Sequence, residues 1–308
     1  MSIDSDTKVA TLTGLAVGDA LGQPFETAQA DDPRLLAWDG RYGSSEYHKL
    51  GPGQWTDDTK MSSCIAESLL EYKEFNPTDL SRRYLEWYRS GDLRGVGKST
   101  KKALSHLHNK VPWVHSGIVG AEGNGPAMRA APIGLFYRKY PHIIVKVAST
   151  EARITHDSRL AEQGAIAVAM GVAFLAQGVP KEAVLDKVSF YLDDGPIKYS
   201  LLSASAQAKR QMEKPWEHLT TMGTKAHILQ TVPAAYYAFL ANDNYQGTVE
   251  TAIRAGGDTD TTAAIAGALA GTHYGIEQVE KYLPELEDAS AIRSLEQKLW
   301  NEAYRLGA

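Results

Sequence analysis

Four consecutive oxygen-bearing side chains, residues 258–261 (DTDT), follow two glycines and precede an apolar stretch. The whole segment 255–271 reads AGGDTDTTAAIAGALAG. Gly256 and Gly257 allow backbone conformations that a side chain would forbid. Residues 263–270 are small and mostly apolar, which favours a closely packed helix. The sequence therefore predicts a loop that brings oxygen ligands to the start of a buried helix.

Two interpretations of this segment are open. A single carboxylate at the start of a helix commonly caps it, which would account for Asp258 or Asp260 taken alone. Two carboxylates beside Thr259 and Thr261 form instead the kind of oxygen-rich set that Mg²⁺, Mn²⁺ and Ca²⁺ prefer. The segment alone does not decide between a cap and a metal site.

A second acidic cluster lies early in the chain, in segment 51–60, which reads GPGQWTDDTK. Glycine and proline predict a loop here. Thr56, Asp57 and Asp58 then supply three more oxygen ligands, and Thr59 is predicted to open an amphipathic helix. Two clusters of this kind, each followed by an apolar helix, favour a metal site over two separate caps.

Two further carboxylates come near the N-terminus. Segment 7–22 has small and apolar residues at helical spacing, which predicts a buried helix. Asp19 lies on that helix, and one interpretation is that it hydrogen-bonds loop backbone. Glu26 follows Pro24 in a predicted loop, where it is free to point into a cleft.

Two segments are rich in glycine, as phosphate-binding loops are. Segment 116–125, SGIVGAEGNG, could bring backbone N–H groups close to a phosphate. Segment 91–100, GDLRGVGKST, does not have P-loop spacing, because Asp92 stands where the first glycine is required. Further along, His156 and Asp157 precede a long apolar helix, where a histidine most often caps or packs.

Composition limits the classes of function. The chain has 308 residues, 43% of them hydrophobic, which is ample for a sizeable core. Its net charge is −5, which argues against a broad surface for nucleic acid or acidic lipid. Cys64 is the sole cysteine, so there is no internal disulfide and no zinc–cysteine site.

The same composition suggests a cytoplasmic location. The first ten residues lack the apolar core of a signal peptide. The longest apolar run, residues 165–176, spans 12 residues, which is too short to cross a bilayer. We expect a cytoplasmic protein with no membrane partner.

Helical periodicity continues through most of the chain, and the best strand candidate is the short IIV run at 143–145. Besides 7–22 and the helices opened at Thr59 and after His156, helices are predicted at 78–91, 126–137, 180–193, 196–212, 225–241, 246–254 and 289–306. There is no internal repeat and no clear linker. The sequence predicts an all-α fold with one domain over residues 1–308.

Five motifs together carry a family resemblance. They are GDALGQPFE at 18–26, WTDDT at 55–59, GNGPAMRAAP at 123–132, THDS at 155–158 and GGDTDT at 256–261. In this order they resemble the ADP-ribosylglycohydrolase family, which includes the enzyme that reactivates dinitrogenase reductase. WTDDT with a distant GGDTDT is the specific combination. The resemblance implies an all-helical fold with two divalent cations, Mg²⁺ or Mn²⁺, at the bottom of a cleft.

The resemblance also assigns roles by position. It implies six metal ligands: Thr56, Asp57, Asp58, Asp258, Asp260 and Thr261. It implies catalytic roles for Glu26 and Asp58, with Glu26 as the candidate general acid or base. The substrate-binding residues that it implies are Gly120, Gly123 and Asn124, in a loop for the diphosphate and distal ribose, and His156.

One departure from the family concerns segment 95–97. Members often have Asp-Ile-Gly ahead of the helix that follows, whereas this chain has Gly95, Val96 and Gly97. The aspartate is missing, so the substrate contacts on that side stay open.

The chemistry of the carboxylates agrees with the implied metals. Five converging carboxylates would repel one another and raise their own pKa values, and two divalent cations nearly cancel that charge. Two cations can hold vicinal ribose hydroxyls and orient a water. A carboxylate near C1 stabilises the oxocarbenium-like transition state of glycosidic cleavage.

The leading hypothesis is hydrolysis of an ADP-ribosylated protein, nucleic acid or small molecule with release of ADP-ribose. Two alternatives are a catalytically inactive ADP-ribose-binding or structural relative, and a two-metal phosphoesterase. The sequence leaves open whether the acceptor is arginine, serine, a nucleobase or an acetyl ester. It also leaves open the preference for Mg²⁺ or Mn²⁺ and the oligomeric state.

Overall fold

The computed structural model describes residues 8–305, and the regular secondary structure of this part of the chain is almost entirely helical, which confirms the predicted all-α class. The α-helices in this part are α1 Thr11–Gly22, α2 Pro33–Ala37, α3 Asp57–Tyr72, α4 Pro77–Ser90, α5 Lys98–His108, α6 Gly125–Met128, α7 Ala131–Phe136, α8 Pro141–Arg153, α9 Arg159–Ala176, α10 Lys181–Ser189, α11 Pro196–Ala208, α12 Pro215–Met222, α13 Ile228–Leu240, α14 Tyr245–Arg254, α15 Thr259–Tyr274 and α16 Ala289–Arg305. Short 3₁₀ helices lie between some of them, including Gln23–Phe25 directly after α1.

Helices α1 and α15 form the centre of the fold, and glycines let them approach closely. A Cβ atom placed on Gly18 would lie 2.1 Å from the carbonyl oxygen of Ala263. One placed on Gly22 would lie 2.4 Å from the carbonyl oxygen of Thr259. No side chain fits at these two positions of α1. The backbone of α1 therefore fixes where α15 begins, and with it the position of the second acidic cluster.

Two very short parallel strands, β1 Ile118–Val119 and β2 His156–Asp157, connect the glycine-rich loop to the start of α9. The Ile118 amide donates to the Thr155 carbonyl at 3.0 Å, and the Gly120 amide donates to the Asp157 carbonyl at 2.9 Å. This pairing sets His156 beside the glycine-rich loop although the two are far apart in sequence.

Helix α9 is the one described helix that is long and apolar enough to cross a membrane by length and composition. Its 18 residues have a mean hydropathy of 1.3, and 83% of them are buried inside the protein. That burial is typical of a core helix. The 12-residue apolar run in the sequence is shorter than the buried part of the helix. The run excludes Glu162 and Gln163, which are also buried within the helix.

The best strand candidate of the sequence, the short run at 143–145, is not a strand, because these residues lie within α8. Pro141 occupies the first helical position, where its fixed φ suits a helix. Ile144, Val147 and Ala148 are buried on one face at helical spacing. The β-branched side chains of this run favour a strand, but burial of one helical face outweighs that preference and stabilises the helix.

Several predicted helix boundaries also need correction. The predicted helix 126–137 is two short helices, α6 and α7, because Pro132 cannot donate the N–H that would continue the first into the second. The predicted helix 225–241 begins at Ile228, and α12 before it was not predicted. Helices 180–193 and 196–212 end earlier, at Ser189 and Ala208.

Candidate functional site

Asp19 of α1 joins that helix to the start of α3. Its carboxylate accepts from the Thr56 amide at 2.9 and 3.0 Å and from the Thr59 amide at 3.1 Å. The hydroxyls of Thr56 and Thr59 also donate to it, at 2.8 and 2.6 Å. The interpretation of Asp19 as a partner of loop backbone is confirmed. Asp19 thereby holds residues 56–58 against α1.

The first acidic cluster lies in the first turn of α3 rather than before it. The helix begins at Asp57, not at Thr59, and Thr56 occupies the capping position. Asp58 Oδ2 lies 3.1 Å from the Thr56 hydroxyl and 3.5 Å from the Thr261 hydroxyl. Asp58 therefore lies between the two clusters that the sequence separates by about 200 residues.

The second cluster starts α15 after two glycines with positive φ, 71° at Gly256 and 82° at Gly257. A Cβ atom on Gly257 would lie 2.4 Å from the Thr224 carbonyl oxygen, so this position requires glycine. The Asp258 amide donates to the same carbonyl at 2.7 Å. Asp258 occupies the capping position, and Asp260 lies in the first turn. The loop conformation thus sets where α15 begins and places one carboxylate at its cap and the other in its first turn.

Asn124 connects the glycine-rich loop to this second cluster. Its side-chain amide donates to Asp258 Oδ2 at 2.6 Å and to the Thr231 hydroxyl at 2.9 Å. The residue is buried. The loop that was predicted to cradle a diphosphate is thereby tied to a predicted metal ligand.

Glu26 follows the short 3₁₀ helix after α1, and its carboxylate contacts Nε2 of His48. The same nitrogen lies 3.7 Å from Asp260 Oδ2. One ligand atom each from Glu26, His48 and Asp260 lie within 4.8 Å of one another, a spacing that could hold a metal ion. Asp57, Asp58 and Asp258 are not members of this group of three. His48 was not predicted as a site residue, since nothing in its local sequence distinguishes it from a surface histidine.

A cavity of about 280 Å³ lies over the cluster. Eight predicted site residues line it: Glu26, Asp57, Gly123, Asn124, His156, Asp258, Asp260 and Thr261. Thr56 and Asp58 are not among the lining residues and are almost fully buried. Gly120 is exposed and is also not among the lining residues, so the structure places it apart from the other predicted ligand contacts.

Segment 95–100, which failed the P-loop test, also lines the cavity. Gly95 has a φ of 76°, and a Cβ atom there would lie 2.6 Å from Asp57 Oδ1. Gly97, Lys98, Ser99 and Thr100 follow at the start of α5. Gly95 and the GKST run that starts at Gly97 were the sequence signal for this segment. The P-loop motif did not detect it, because that motif requires a fixed glycine spacing that the segment lacks. The chain thus brings the bare backbone of Gly95 against Asp57.

Burial and mutual repulsion act on the carboxylates of the cluster. Burial, with a further contribution from the charge of Asp19, raises the pKa of Asp57 to about 8. Burial raises the pKa values of Asp58 and Asp260 well above their usual range, and neighbouring carboxylates add to both shifts. The surrounding protein groups therefore favour the protonated, neutral forms of these carboxyls over the charged forms.

The donor set fits hard divalent cations. Asp58 Oδ1 is buried and has no hydrogen-bond partner among the described residues, so it is an acceptor without a donor. Buried polar atoms are normally satisfied, and an oxygen left free inside an acidic cluster is a suitable cation ligand. Carboxylate and hydroxyl oxygens also predominate in the cluster, which is the ligand type that Mg²⁺ and Mn²⁺ prefer.

His156 lies on the other wall of the cavity and is 2% exposed. Burial, with the nearby charge of Arg129, lowers its pKa to about 3. The ring is therefore neutral near pH 7. A Cβ atom on Gly125 would lie 2.8 Å from its Cε1, so that glycine leaves room for the ring.

The chain is similar to known proteins over most of its length. The family described as ADP-ribosylglycohydrolase matches residues 4–308. The chain is 32% identical to the ADP-ribosylhydrolase ARH3 of Gallus gallus, with 96% of this chain and 92% of the relative covered. It is 25% identical to the ADP-ribosylarginine hydrolase Tri1 of Serratia proteamaculans, with 96% and 79% covered.

A solved structure gives the same result for the fold. It is described as an ADP-ribosylglycohydrolase-related protein complex, and it superposes with a TM-score of 0.76 at 29% identity over 97% of this chain and 98% of the other. The family match over nearly the whole chain, the related sequences and the shared fold lead to one conclusion: this chain belongs to the ADP-ribosylglycohydrolase family.

Proposed function

We propose that this protein is a cation-dependent hydrolase that cleaves the glycosidic bond of ADP-ribosyl conjugates and releases ADP-ribose. The observation that carries the proposal is the meeting of both acidic clusters, Glu26 and the glycine-rich loop around one cavity. Family membership and relatives named as ADP-ribosylhydrolases support a hydrolase acting on ADP-ribose. A cytoplasmic location is part of the proposal and rests on composition.

Two divalent cations, Mg²⁺ or Mn²⁺, are the proposed cofactors. Thr56, Asp57, Asp58, Asp258, Asp260 and Thr261 would hold them. When bound, such ions offset the carboxylate charge, hold ribose hydroxyls and lower the pKa of a water. His48 is an additional candidate ligand, because it is grouped with Glu26 and Asp260.

Glu26 is the proposed general acid or base. Its side chain is 21% exposed and lines the cavity, so it can reach both solvent and substrate. The Glu26 carboxylate would take a proton from the attacking water as the water oxygen bonds to C1 and the glycosidic bond breaks. The acceptor would leave with the bonding electron pair and take up a proton from Glu26 or from solvent. His48, with a side chain 5% exposed, contacts that carboxylate and would hold it in one orientation.

The diphosphate is proposed to lie between the loop of Gly123 and Asn124 and the start of α5. The first amides of a helix and its dipole favour an anion. Lys98, in the first turn of α5, is exposed and lines the cavity, so it can add a positive charge. In this proposal two segments bind the diphosphate. Only the loop of Gly123 and Asn124 was predicted from the sequence.

Incubation with Mg²⁺ and a panel of substrates tests the proposal. The panel contains four substrates: ADP-ribosylated arginine, ADP-ribosylated serine, ADP-ribosylated DNA and O-acetyl-ADP-ribose. The arginine conjugate is included because one relative is named as an ADP-ribosylarginine hydrolase. We expect intact ADP-ribose from at least one substrate and none after EDTA. Release of phosphate or AMP would instead indicate a phosphoesterase.

A binding measurement tests ADP-ribose as the ligand without requiring turnover. Free ADP-ribose with Mg²⁺ should raise the melting temperature, because it binds the native state alone. Binding without turnover on any substrate would indicate a binding protein. No shift at millimolar ADP-ribose would contradict ADP-ribose as the ligand.

A further inference from the structure

A chain of buried polar groups lies behind His156. Arg129, which is fully buried between α6 and α7, donates through Nε to Glu151 Oε1 at 2.6 Å. Its Nη2 donates to the Thr155 hydroxyl oxygen at 2.6 Å. The Thr155 hydroxyl in turn lies 2.8 Å from Nδ1 of His156. Three side chains, those of Glu151, Arg129 and Thr155, are thus linked one after another to His156 in the cavity wall.

The direction of each hydrogen bond in this chain follows from Arg129. A guanidinium has donors and no acceptor, so the Thr155 oxygen must accept from Nη2. The Thr155 hydroxyl proton then needs an acceptor of its own. Within residues 8–305, His156 Nδ1 is the one acceptor within hydrogen-bonding distance of that hydroxyl. The reverse arrangement would leave a buried hydroxyl proton without a partner, which is costly.

The tautomer of His156 follows from that direction. A neutral imidazole carries one proton, and if Nδ1 accepts, the proton lies on Nε2. Nε2 faces the glycine-rich loop, since a Cβ atom on Gly123 would lie 3.1 Å from it. The described residues provide it with no hydrogen-bond acceptor. The charge of Arg129 also opposes a second proton on the ring.

We propose that Arg129, acting through Thr155, is a positioning residue that holds His156 as the Nε2–H tautomer, so that His156 donates a hydrogen bond to an oxygen atom of the ligand. This rests on the proposed function in one respect, that the ligand in the cavity is an ADP-ribosyl group. The oxygen-rich diphosphate and ribose supply suitable acceptors. His156 in this role is a fixed neutral donor and does not transfer a proton.

Nitrogen NMR of ¹⁵N-histidine-labelled protein tests the tautomer directly and needs no activity. The His156 signals are those that disappear in His156→Gln. We expect a pyrrole-type shift at Nε2 and a pyridine-type shift at Nδ1 in the unliganded wild type. The opposite pattern in the wild type would overturn the inference, and this result requires neither Thr155 variant to fold.

Thr155→Val and Thr155→Ser form the matched pair. Valine keeps the shape and removes the hydroxyl, so the Nε2–H tautomer should lose its preference and ADP-ribose affinity should fall by about tenfold, as for one lost hydrogen bond. Serine restores the hydroxyl and should restore both the spectrum and the affinity. An unchanged tautomer in a folded Thr155→Val protein would remove Thr155 from the role. Failure of ADP-ribose to bind the wild type would reject the proposed ligand and leave the tautomer result standing.

Discussion

The side-chain amide of Asn124 donates to Asp258 Oδ2 across 2.6 Å, and this contact joins the glycine-rich loop to the acidic cluster. The Thr231 hydroxyl oxygen accepts a second hydrogen bond from the same side-chain amide. A cation bound beside Asp258 and a diphosphate bound over the loop would therefore both act on Asn124. Such coupling is reciprocal, so the cation should raise ADP-ribose affinity by the factor by which ADP-ribose raises cation affinity.

Asn124→Ala should weaken this coupling. It removes a hydrogen bond to a carboxylate, which is worth about 1.5–3 kcal/mol. We expect calorimetry to show lower affinity for both Mg²⁺ and ADP-ribose, and a smaller effect of each on the other. Asn109→Ala, at an exposed asparagine, is the control and should change neither. Unchanged coupling in Asn124→Ala would mean that the loop and the cluster act independently.

Glu26→Gln should preserve the fold and most of the cation affinity while turnover falls by about 10²–10⁴-fold, the usual contribution of an acid or base. Glutamine keeps the size of the side chain but neither takes up nor releases the proton. Turnover and Mg²⁺ titration of the same preparation measure both effects. Glu46→Gln, an exposed glutamate of the same region, is the control. Near-normal turnover in Glu26→Gln would assign Glu26 a structural role.

Asp260→Asn should be the most damaging single change for cation binding. Asparagine keeps the shape and one carbonyl oxygen but loses the charge. A unit charge about 4 Å from a cation is worth about 4 kcal/mol at an effective dielectric of 20. Loss of a third of that interaction energy would already lower the cation affinity by about tenfold.

Activity of Asp260→Asn should recover only in part at high Mg²⁺ or Mn²⁺, and EDTA should lower its melting temperature less than that of the wild type. Asp31→Asn makes the same exchange at an exposed site and should behave as the wild type does. Cation titrations that superimpose for Asp260→Asn and the wild type would show that Asp260 is only a helix-capping residue.

The sequence predicted the fold class and the two acidic clusters because both depend on local pattern. Apolar periodicity marks buried helices, and glycine before a short acidic run marks a helix start. The sequence did not reveal His48, Arg129 or the 95–100 segment. Their positions at the site follow from tertiary packing, such as the contact of His48 with Glu26, which no local spacing encodes.

Stability should fall in acid through His156. Its folded-state pKa is lowered to about 3, by burial first and by Arg129 second, against an ordinary value of 6.5. Between these values the unfolded chain binds a proton that the folded protein does not. The free energy of unfolding therefore decreases as pH falls below 6.5, by up to about 1.4 kcal/mol per pH unit.

Urea unfolding at pH values from 7.5 to 4.5 measures this effect. The wild type should lose more stability over that range than His156→Gln, which lacks the titrating group. His115→Gln, at an exposed histidine, should keep the wild-type slope. Equal slopes for the wild type and His156→Gln would mean that the folded protein admits the proton near its ordinary pKa.

Gly95→Ala should disrupt the acidic cluster, and Gly91→Ala separates this effect from backbone strain. Both glycines have a positive φ, 76° and 79°. Alanine at either position costs about 1 kcal/mol or slightly more in backbone strain. A Cβ atom on Gly95 would also lie 2.6 Å from Asp57 Oδ1 and 2.7 Å from Thr56 Cβ, whereas one on Gly91 would meet nothing within 4 Å.

The difference between the two variants therefore reports on the contact with Asp57 and Thr56. We expect Gly91→Ala to lose a little stability and to keep full cation affinity and turnover. Gly95→Ala must displace Asp57 or the segment that carries it, so cation affinity should fall by tenfold or more, the consequence of about 1.4 kcal/mol lost at one ligand. Thermal melts with and without Mg²⁺ measure both quantities together. If the two variants lose the same stability and bind Mg²⁺ equally, the close approach of Gly95 to Asp57 has no part in holding the cluster.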